Sequence, residues 1–315
     1  MTTCHGRPIV VVGSSNTDMI IKTTRLPGPG ETVLGGRFLM APGGKGANQA
    51  VAAARAGGRV HFIARVGGDL FGDSALQGFR RDDIHVNHVL IDDGAHSGIA
   101  LIIVNEEGEN SIAVASGANA RLSPDDVRRA RDTIGRAGIL LVQLEIPMET
   151  VEEAVRIAAE FGAKVMMNPA PARALNPGLL QRIDYLTPNE NEIENITGIR
   201  VETEKDAAAA ARLLLQHGVK TVLITLGHRG AYVAGEGIQQ LVPGFQVEAV
   251  DSTAAGDIFC GALAAAVAEN KPLLDAVRFA NAAAAISVTR MGAQPSAPNR
   301  EEIEAFLRVR GDALA

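Results

Sequence analysis

Short apolar, β-branched runs at 9–13, 60–66, 139–144, 164–168, 185–187 and 221–226 alternate with longer segments at 46–56, 123–136, 149–161 and 206–217. In the longer segments apolar positions recur at helical spacing and the outer faces are charged. The first set predicts strands and the second crossover helices. Together they predict a doubly wound α/β fold, a mostly parallel sheet flanked by helices on both faces. Two stretches break the rhythm: at 31–40 and 97–114, polar and apolar positions alternate around Gly-rich turns such as 106–110. These predict antiparallel hairpins within about 16–40 and 97–115, either a small β-sheet lid over the main sheet or an edge extension of it. The segments 255–269, 272–290 and 299–309 predict three closing helices with little strand between them. The whole chain, 1–315, reads as a single α/β domain without solenoid repeats.

Composition narrows the function. Apolar residues make up 46%, aromatics only 3%, and tryptophan is absent, so the core must be aliphatic and base stacking has little to work with. Thirty basic against 36 acidic residues leave a net charge of −6 with no basic run, which argues against a nucleic-acid partner. Cys4 and Cys260 are too few for a disulfide framework or a thiolate metal centre and suit a reducing cytoplasm. Segment 1–8 lacks the pattern of a signal peptide, and no run of about eighteen uncharged apolar residues occurs outside Ala-rich stretches. A soluble cytoplasmic protein with no membrane partner is expected. His85 and His88 lie three apart without a third ligand at motif spacing, so they are expected at the surface.

The candidate chemistry sits where strands hand over to helices. Asp251-Ser252-Thr253-Ala254-Ala255-Gly256-Asp257 ends a strand-like run and opens an Ala-rich helix. Unpaired amides and the positive end of the helix dipole favour an anion there, and Gly256 lets a phosphate approach. Asp257 could then take a proton from an attacking hydroxyl, or merely complement the dipole. A second Gly-rich loop, Pro42-Gly43-Gly44-Lys45-Gly46-Ala47-Asn48, matches neither the dinucleotide fingerprint nor the P-loop. It suits either a small polar ligand hydrogen-bonded by Lys45 and Asn48, or a tight turn. Asn16 and Asp18, two apart on an extended chain, can hold vicinal hydroxyls or make Asx turns, and Glu145 follows a strand at the same rim. Asn189 and Glu192 fit either a water-held magnesium or a helix cap. Thr225 to Gly230 fits a nucleotide contact or a plain turn. No nucleophile elbow is present.

Taken together, 43–48 and 251–257 resemble the two signature regions of the ribokinase (PfkB) family of carbohydrate kinases. The resemblance extends through Asn16 with Asp18, 168–172, Asn189 with Glu192, 225–230 and 289–296. It implies ATP-dependent phosphorylation of the 5-hydroxyl of D-ribose. The sugar would be held by Asn16, Thr17, Asp18, Gly44, Lys45, Gly46, Ala47, Asn48 and Glu145. Asp257 would be the base, with Ala254, Ala255 and Gly256 contributing amides to an anion hole. Asn189, Thr225, Leu226, Gly227, His228, Arg229, Gly230, Gly256, Asp257 and Asn281 would line the nucleotide. The resemblance further implies magnesium near Asn189 and Glu192, held through water. It implies potassium on Asp251, Thr253, Ser287, Arg290, Gly292 and Ser296, and a homodimer formed through the lid. A kinase for another sugar or a nucleoside, and a noncatalytic sugar-binding protein of the same fold, are the alternatives. Many family members carry Gly-Ala-Gly-Asp where this chain has Ala254-Ala255-Gly256-Asp257. Lacking glycine's freedom, Ala254 is expected to serve from an ordinary backbone conformation.

Overall fold

The computed structural model describes residues 6–311. In the first part of the chain, the strands are β1 (Ile9–Val12), β2 (Asn16–Lys22), β3 (Arg37–Gly43), β4 (Val60–Gly67), β5 (His85–Asp92), β6 (Gly98–Val104) and β7 (Asn110–Ala115). β8 (Ile139–Val142), β9 (Lys164–Met167), β10 (Tyr185–Leu186), β11 (Thr221–Thr225), β12 (Gly230–Gly235) and β13 (Ile238–Pro243) follow. The helices begin with α1 (Lys45–Arg55), α2 (Leu70–Arg81), α3 (Pro124–Arg129), α4 (Arg131–Gly135), α5 (Met148–Glu160) and α6 (Pro177–Leu180). They continue with α7 (Glu190–Thr197), α8 (Glu204–Gln216), α9 (Ala255–Ala268), α10 (Leu273–Ser287) and α11 (Arg300–Gly311).

Nine strands form one sheet in the order β13-β12-β11-β10-β9-β8-β1-β4-β5. It is parallel except at β12 and β13, which run antiparallel to their neighbours. β1 shows why the strands carry no polar alternation. Ile9 and Val11 join the core under α1, α9 and α10, while Val10 and Val12 join the core under α3, α5 and α8. A strand covered on both faces has no position left for water. The second sheet, β3-β2-β6-β7, pairs β2 with β6 in parallel and the outer pairs antiparallel.

The structure departs from the sequence expectations at several points. β1 stops at Val12, and Asn16 and Asp18 open β2 in the second sheet instead of closing the first strand. Segment 31–40 is not a hairpin: Glu31 to Gly36 carries no strand, and β3 pairs back to β2. Segment 123–136 is two short helices, broken at Ala130 (φ −93°, ψ 9°). α2, β5 and the β12–β13 hairpin were not anticipated. His85 is exposed on β5, whereas His88 is half-buried with Nε2 2.9 Å from Thr133 Oγ1. Cys4 lies outside the described residues, and Cys260 is buried and free. Among the described residues no helix is long and apolar enough to cross a membrane.

α9 is buried along nearly its whole length, and Gly261 sets how close it lies to α1. A Cβ there would meet Gln49 O at 2.5 Å and the Ala52 Cβ at 2.6 Å. The close approach brings the first turns of α1 and α9 side by side.

Candidate active site

Ala254 is the N-cap of α9 and adopts the left-handed conformation (φ 59°, ψ 14°), contrary to the ordinary backbone expected for it. That conformation costs an L-residue about 1–2 kcal/mol and turns the loop sharply into the helix. The Ala254 carbonyl accepts from Ile258 N at 2.9 Å and Ala255 N donates to Ser252 O at 3.2 Å. Gly256 N and Asp257 N have no hydrogen-bond partner among the described residues. A Cβ on Gly256 would meet nothing within 4 Å, so no neighbouring part of the chain demands a glycine there. What its absence of side chain clears is the space in front of two free amides at a helix N-terminus, where an anion is favoured.

The Asp257 carboxylate is buried and held by α1. Asn48 Nδ2 donates to Oδ2 at 3.0 Å and Gln49 Nε2 to Oδ1 at 2.9 Å. Burial raises its pKa, against the pull of Lys45 and the two amides. Lys45 is itself raised, by Asp257 first and also by Glu145, and stays charged.

Asp257 lies at one end of a polar cavity of about 310 Å³. Asn16 and Asp18 from β2, Gly44, Lys45 and Asn48 from the start of α1, and Glu145 after β8 line it, with Ala100 and Ile102 of β6 overhead. Each polar side chain has spare capacity directed by its fixed partners. Asn119 Nδ2 donates to Asn16 Oδ1 at 2.8 Å, leaving the Asn16 NH₂ as a donor. Ser14 Oγ and Lys45 N both donate to Glu145 Oε2, at 2.6 and 3.0 Å, leaving Oε1 free. Asn48 Oδ1 is buried without a partner, and the Asp18 carboxylate makes no hydrogen bond among the described residues. Burial, then Glu145 and Asp257, push Asp18 up to about 6 despite Lys45. Such a ring of unpaired donors and acceptors is what several adjacent hydroxyls require.

Three residues named with this group lie elsewhere. Thr17 alternates to the opposite face of β2, opposite Pro42 and Ile99. Ala47 is packed in the core, and Gly46 sits against Gly13 and Ser14, where a Cβ would come within 2.5 Å of Ser14 N. Gly44, at φ 87°, likewise faces Asn16 N at 2.6 Å. These glycines serve chain packing beside β1 and β2 more than ligand approach.

A second cavity, of about 460 Å³, adjoins the first. Its lining includes Asn189, Thr225, Gly227, His228, Gly230 and Asn281, and its far wall is apolar, formed by Phe245, Val247, Ala249, Phe259, Ala284 and Val288. Sequence reasoning missed this wall, because residues 245–249 have no regular secondary structure. Leu226 is buried in the core beneath it. Arg229 pairs with Glu190, a lining residue, at 2.6 Å and donates to Glu202 O, and is not itself part of the lining. Asn281 Nδ2 donates to Val242 O and Pro243 O and so fixes the exit of β13. Asn189, Thr225, Ser252, Ala255 and Gly256 line both cavities, so the free amides of α9 lie on their common boundary.

Asn189 and Glu192 form the capping box of α7 and also line the polar cavity. Both Glu192 oxygens accept from Asn189, at 2.9 and 3.0 Å, yet each keeps a lone pair. Burial raises the Glu192 pKa. On the far side of the anion loop, Asp251 Oδ1 accepts from Thr253 N and Oγ1, and Oδ2 accepts from Gly292 N at 2.8 Å. Burial opposes ionisation of Asp251, but these bonds prevail and hold its carboxyl below the usual range. They bring 251–253 against 290–296. Ser287 and Ser296 are buried there, with hydroxyls donating to Ala284 O and Ala293 O.

Residues 7–300 match the pfkB family of carbohydrate kinases. A ribokinase of Haemophilus influenzae is 45% identical over 301 residues, 96% of this chain and 98% of its own length. The crystal structure of a ribokinase from Thermotoga maritima superposes with a TM-score of 0.87 at 41% identity, covering 96% of this chain and 99% of that one. A ribokinase from Arabidopsis thaliana, complexed with ribose and ATP, superposes equally well at 34% identity over 96% of this chain and 99% of its own.

Proposed function

The chain belongs to the pfkB family of carbohydrate kinases, and on that premise we propose that it transfers the γ-phosphoryl group of ATP to the 5-hydroxyl of D-ribose, giving D-ribose 5-phosphate and ADP. The observation that carries this reading is the boundary between the two cavities. A hydroxyl-binding cavity and an apolar-walled one meet at two unpaired helix-terminal amides, with a carboxylate on the sugar side. Ribose occupies the polar cavity, held by Asn16, Asp18, Gly44, Lys45, Asn48 and Glu145. ATP lies against the apolar wall with its phosphates directed at Gly256. The 5-hydroxyl oxygen bonds to the γ-phosphorus as that phosphorus parts from the β,γ-bridging oxygen. The electron pair leaves with ADP, and the hydroxyl proton passes to Asp257. The Gly256 and Asp257 amides and Lys45 face the charge that spreads over the phosphoryl oxygens.

Magnesium accompanies ATP in such kinases, and the lone pairs left on Glu192 and Asn189 fit a hydrated ion. When bound, it neutralises phosphate charge. The Asp251 carboxylate, with carbonyls of Thr253, Ser287, Arg290 and Gly292 and the Ser296 hydroxyl, fits a potassium ion behind the anion loop. The carbonyls of Thr253, Arg290 and Gly292 accept no hydrogen bond among the described residues. A cation there steadies the loop's shape. We assign the activity to the cytoplasm, in keeping with the free thiol of Cys260, and to a homodimer joined through the small sheet, which acts as a lid over the sugar. The chain forms one domain with that lid.

The test is ATP consumption with magnesium, with and without potassium, on D-ribose, 2-deoxyribose, fructose 6-phosphate and adenosine. D-ribose is expected to be phosphorylated fastest. Faster turnover of another acceptor moves the reading to that kinase, and no ATP consumption with any of them supports a noncatalytic sugar-binding protein.

A further inference from the structure

Gln49 is fully buried in α1, beside alanines, and has no task in the reaction assigned above. An amide so placed is costly unless every hydrogen bond is met. Its bonds form a one-way chain. The Thr187 carbonyl can only accept, so Asn168 turns Nδ2 to it at 2.9 Å and presents Oδ1 to Gln49. Gln49 Nε2 then donates to Asn168 Oδ1 at 3.1 Å and to Asp257 Oδ1 at 2.9 Å. Its own Oε1 accepts from Gln143 Nε2 at 2.5 Å. Reversing any one amide would set donor against donor or acceptor against acceptor, so the orientation is fixed from the Thr187 carbonyl to the carboxylate.

We propose that Gln49, locked by Gln143 and Asn168, is a positioning residue for phosphoryl transfer: it fixes the rotation of the Asp257 carboxylate and stabilises its ionised form. The proposal rests on Asp257 as the base. Negative charge faces that carboxylate from Asp18 on β2, Glu145 after β8 and Glu192 on α7. Cys260, one turn along α9, is a protonated thiol pushed up to about 12 by burial. Lys45 of α1 is the facing cation, and burial favours the neutral acid. Neutral donors on both oxygens are what keep the group a base there. Asn48 and Asn168 also line the sugar cavity, but Gln49 does not, so Gln49 acts on the reaction through the groups it holds, and Asp257 is the ionisable one among them.

The experiment compares Gln49→Met, similar in length but unable to hydrogen-bond, with the unaltered full-length enzyme. Ribose KM is expected to stay within about twofold while kcat falls about 10- to 100-fold. Removing a donor from the charged form raises its pKa, so the acid limb of kcat, read at saturating ribose, should move up by about one pH unit. An unmoved limb, or a loss carried by KM alone, overturns the proposal. If thermal unfolding shows that Gln49→Met does not fold, Gln143→Met unlocks Gln49 while leaving its bond to Asp257. A smaller upward shift supports the proposal, and an unmoved limb overturns it. Asp257→Asn separates the two readings. Near-normal turnover in that variant removes the base itself, whereas an inactive Asp257→Asn beside an unshifted Gln49 variant removes only the positioning role.

Discussion

In the sugar site proposed above, Asp18 would join binding to protonation at a single side chain. Its carboxylate is pushed up to about 6 because burial and the neighbouring Glu145 and Asp257 outweigh Lys45. Above that value it is a bare acceptor, and below it one oxygen carries a proton. Ribose KM is therefore expected to rise as pH falls through about 6. Asp18→Asn is expected to weaken ribose capture and flatten that dependence, and an unchanged KM in the variant would remove Asp18 from the sugar site. The sign for stability is opposite. A raised carboxyl binds its proton more tightly in the folded chain, so its contribution is present below the unfolded value near 4 and lost as pH rises toward 6. Asp18→Asn should therefore unfold later at pH 8, by about 1–2 kcal/mol, as thermal denaturation would read. As the proposed base, Asp257 is expected to behave differently, because it would take part in the transfer itself. On that proposal the proton is accepted late, when the hydroxyl oxygen is already bonding to phosphorus and has become acidic. Asp257→Asn is expected to lower kcat by about 10²- to 10⁴-fold in steady-state assays while ribose still binds.

At the scale of elements, the site depends on how closely α1 and α9 approach, and Gly261 sets that distance. A Cβ there would meet backbone atoms of Gln49 and Ala53 at 2.5 and 2.7 Å, and backbone cannot turn aside as a side chain can. Gly261→Ala is expected to push the helices apart, costing about 1–3 kcal/mol of stability. It should also lengthen the bonds from Asn48 and Gln49 to Asp257, and kcat should fall more than ribose KM rises. Unaltered unfolding and kinetics would show that the helices are not in register through this contact. The parallel sheet was legible because its strands are apolar on both faces, as in the Ile-Val-Val-Val of β1. β12 (Gly-Ala-Tyr-Val-Ala-Gly) and the histidine-bearing β5 lack that signal, and α2 begins with an exposed Leu70 and carries two glycines. The break at Ala130 is invisible because alanine favours helix. In the site, the residues at loop–helix junctions were legible because glycine and polar residues stand out there. Gln49 and Gln143 were not, although Gln143 interrupts the apolar run 139–144 and such an interruption in a doubly covered strand marks a buried network. The left-handed Ala254 could not be read from composition, since glycine is the residue that ordinarily announces that backbone.

For the whole molecule, the two faces of the small sheet pose different problems. One face, with Asn16, Asp18, Ala100, Ile102, Ile112 and Val114, lines the polar cavity proposed to hold the sugar. The other carries Met19, Ile21, Phe38, Met40 and Leu101, aligned by the pairings Met19 with Met40 and Leu101 and Ile21 with Phe38. Phe38 is 60% exposed, Met40 59% and Leu101 54%. Leaving such a face in water forgoes about 25 cal/mol for each Å² of apolar surface that a partner would bury, and the same face on a second copy satisfies it by symmetry. Because β2 bears sugar-facing and outward-facing residues alternately, a partner clasping the outer row would also hold Asn16 and Asp18 in place. Sedimentation at micromolar concentration should therefore show a dimer, and the paired change Phe38→Asp with Leu101→Asp should dissociate it. Since neither residue touches the cavity, the coupling predicts a higher ribose KM in the dissociated variant with the ATP KM nearly unchanged. A monomeric unaltered chain would remove the dimer, and a dissociated variant with the original ribose KM would show that β2 holds its sugar-facing residues without help from a partner.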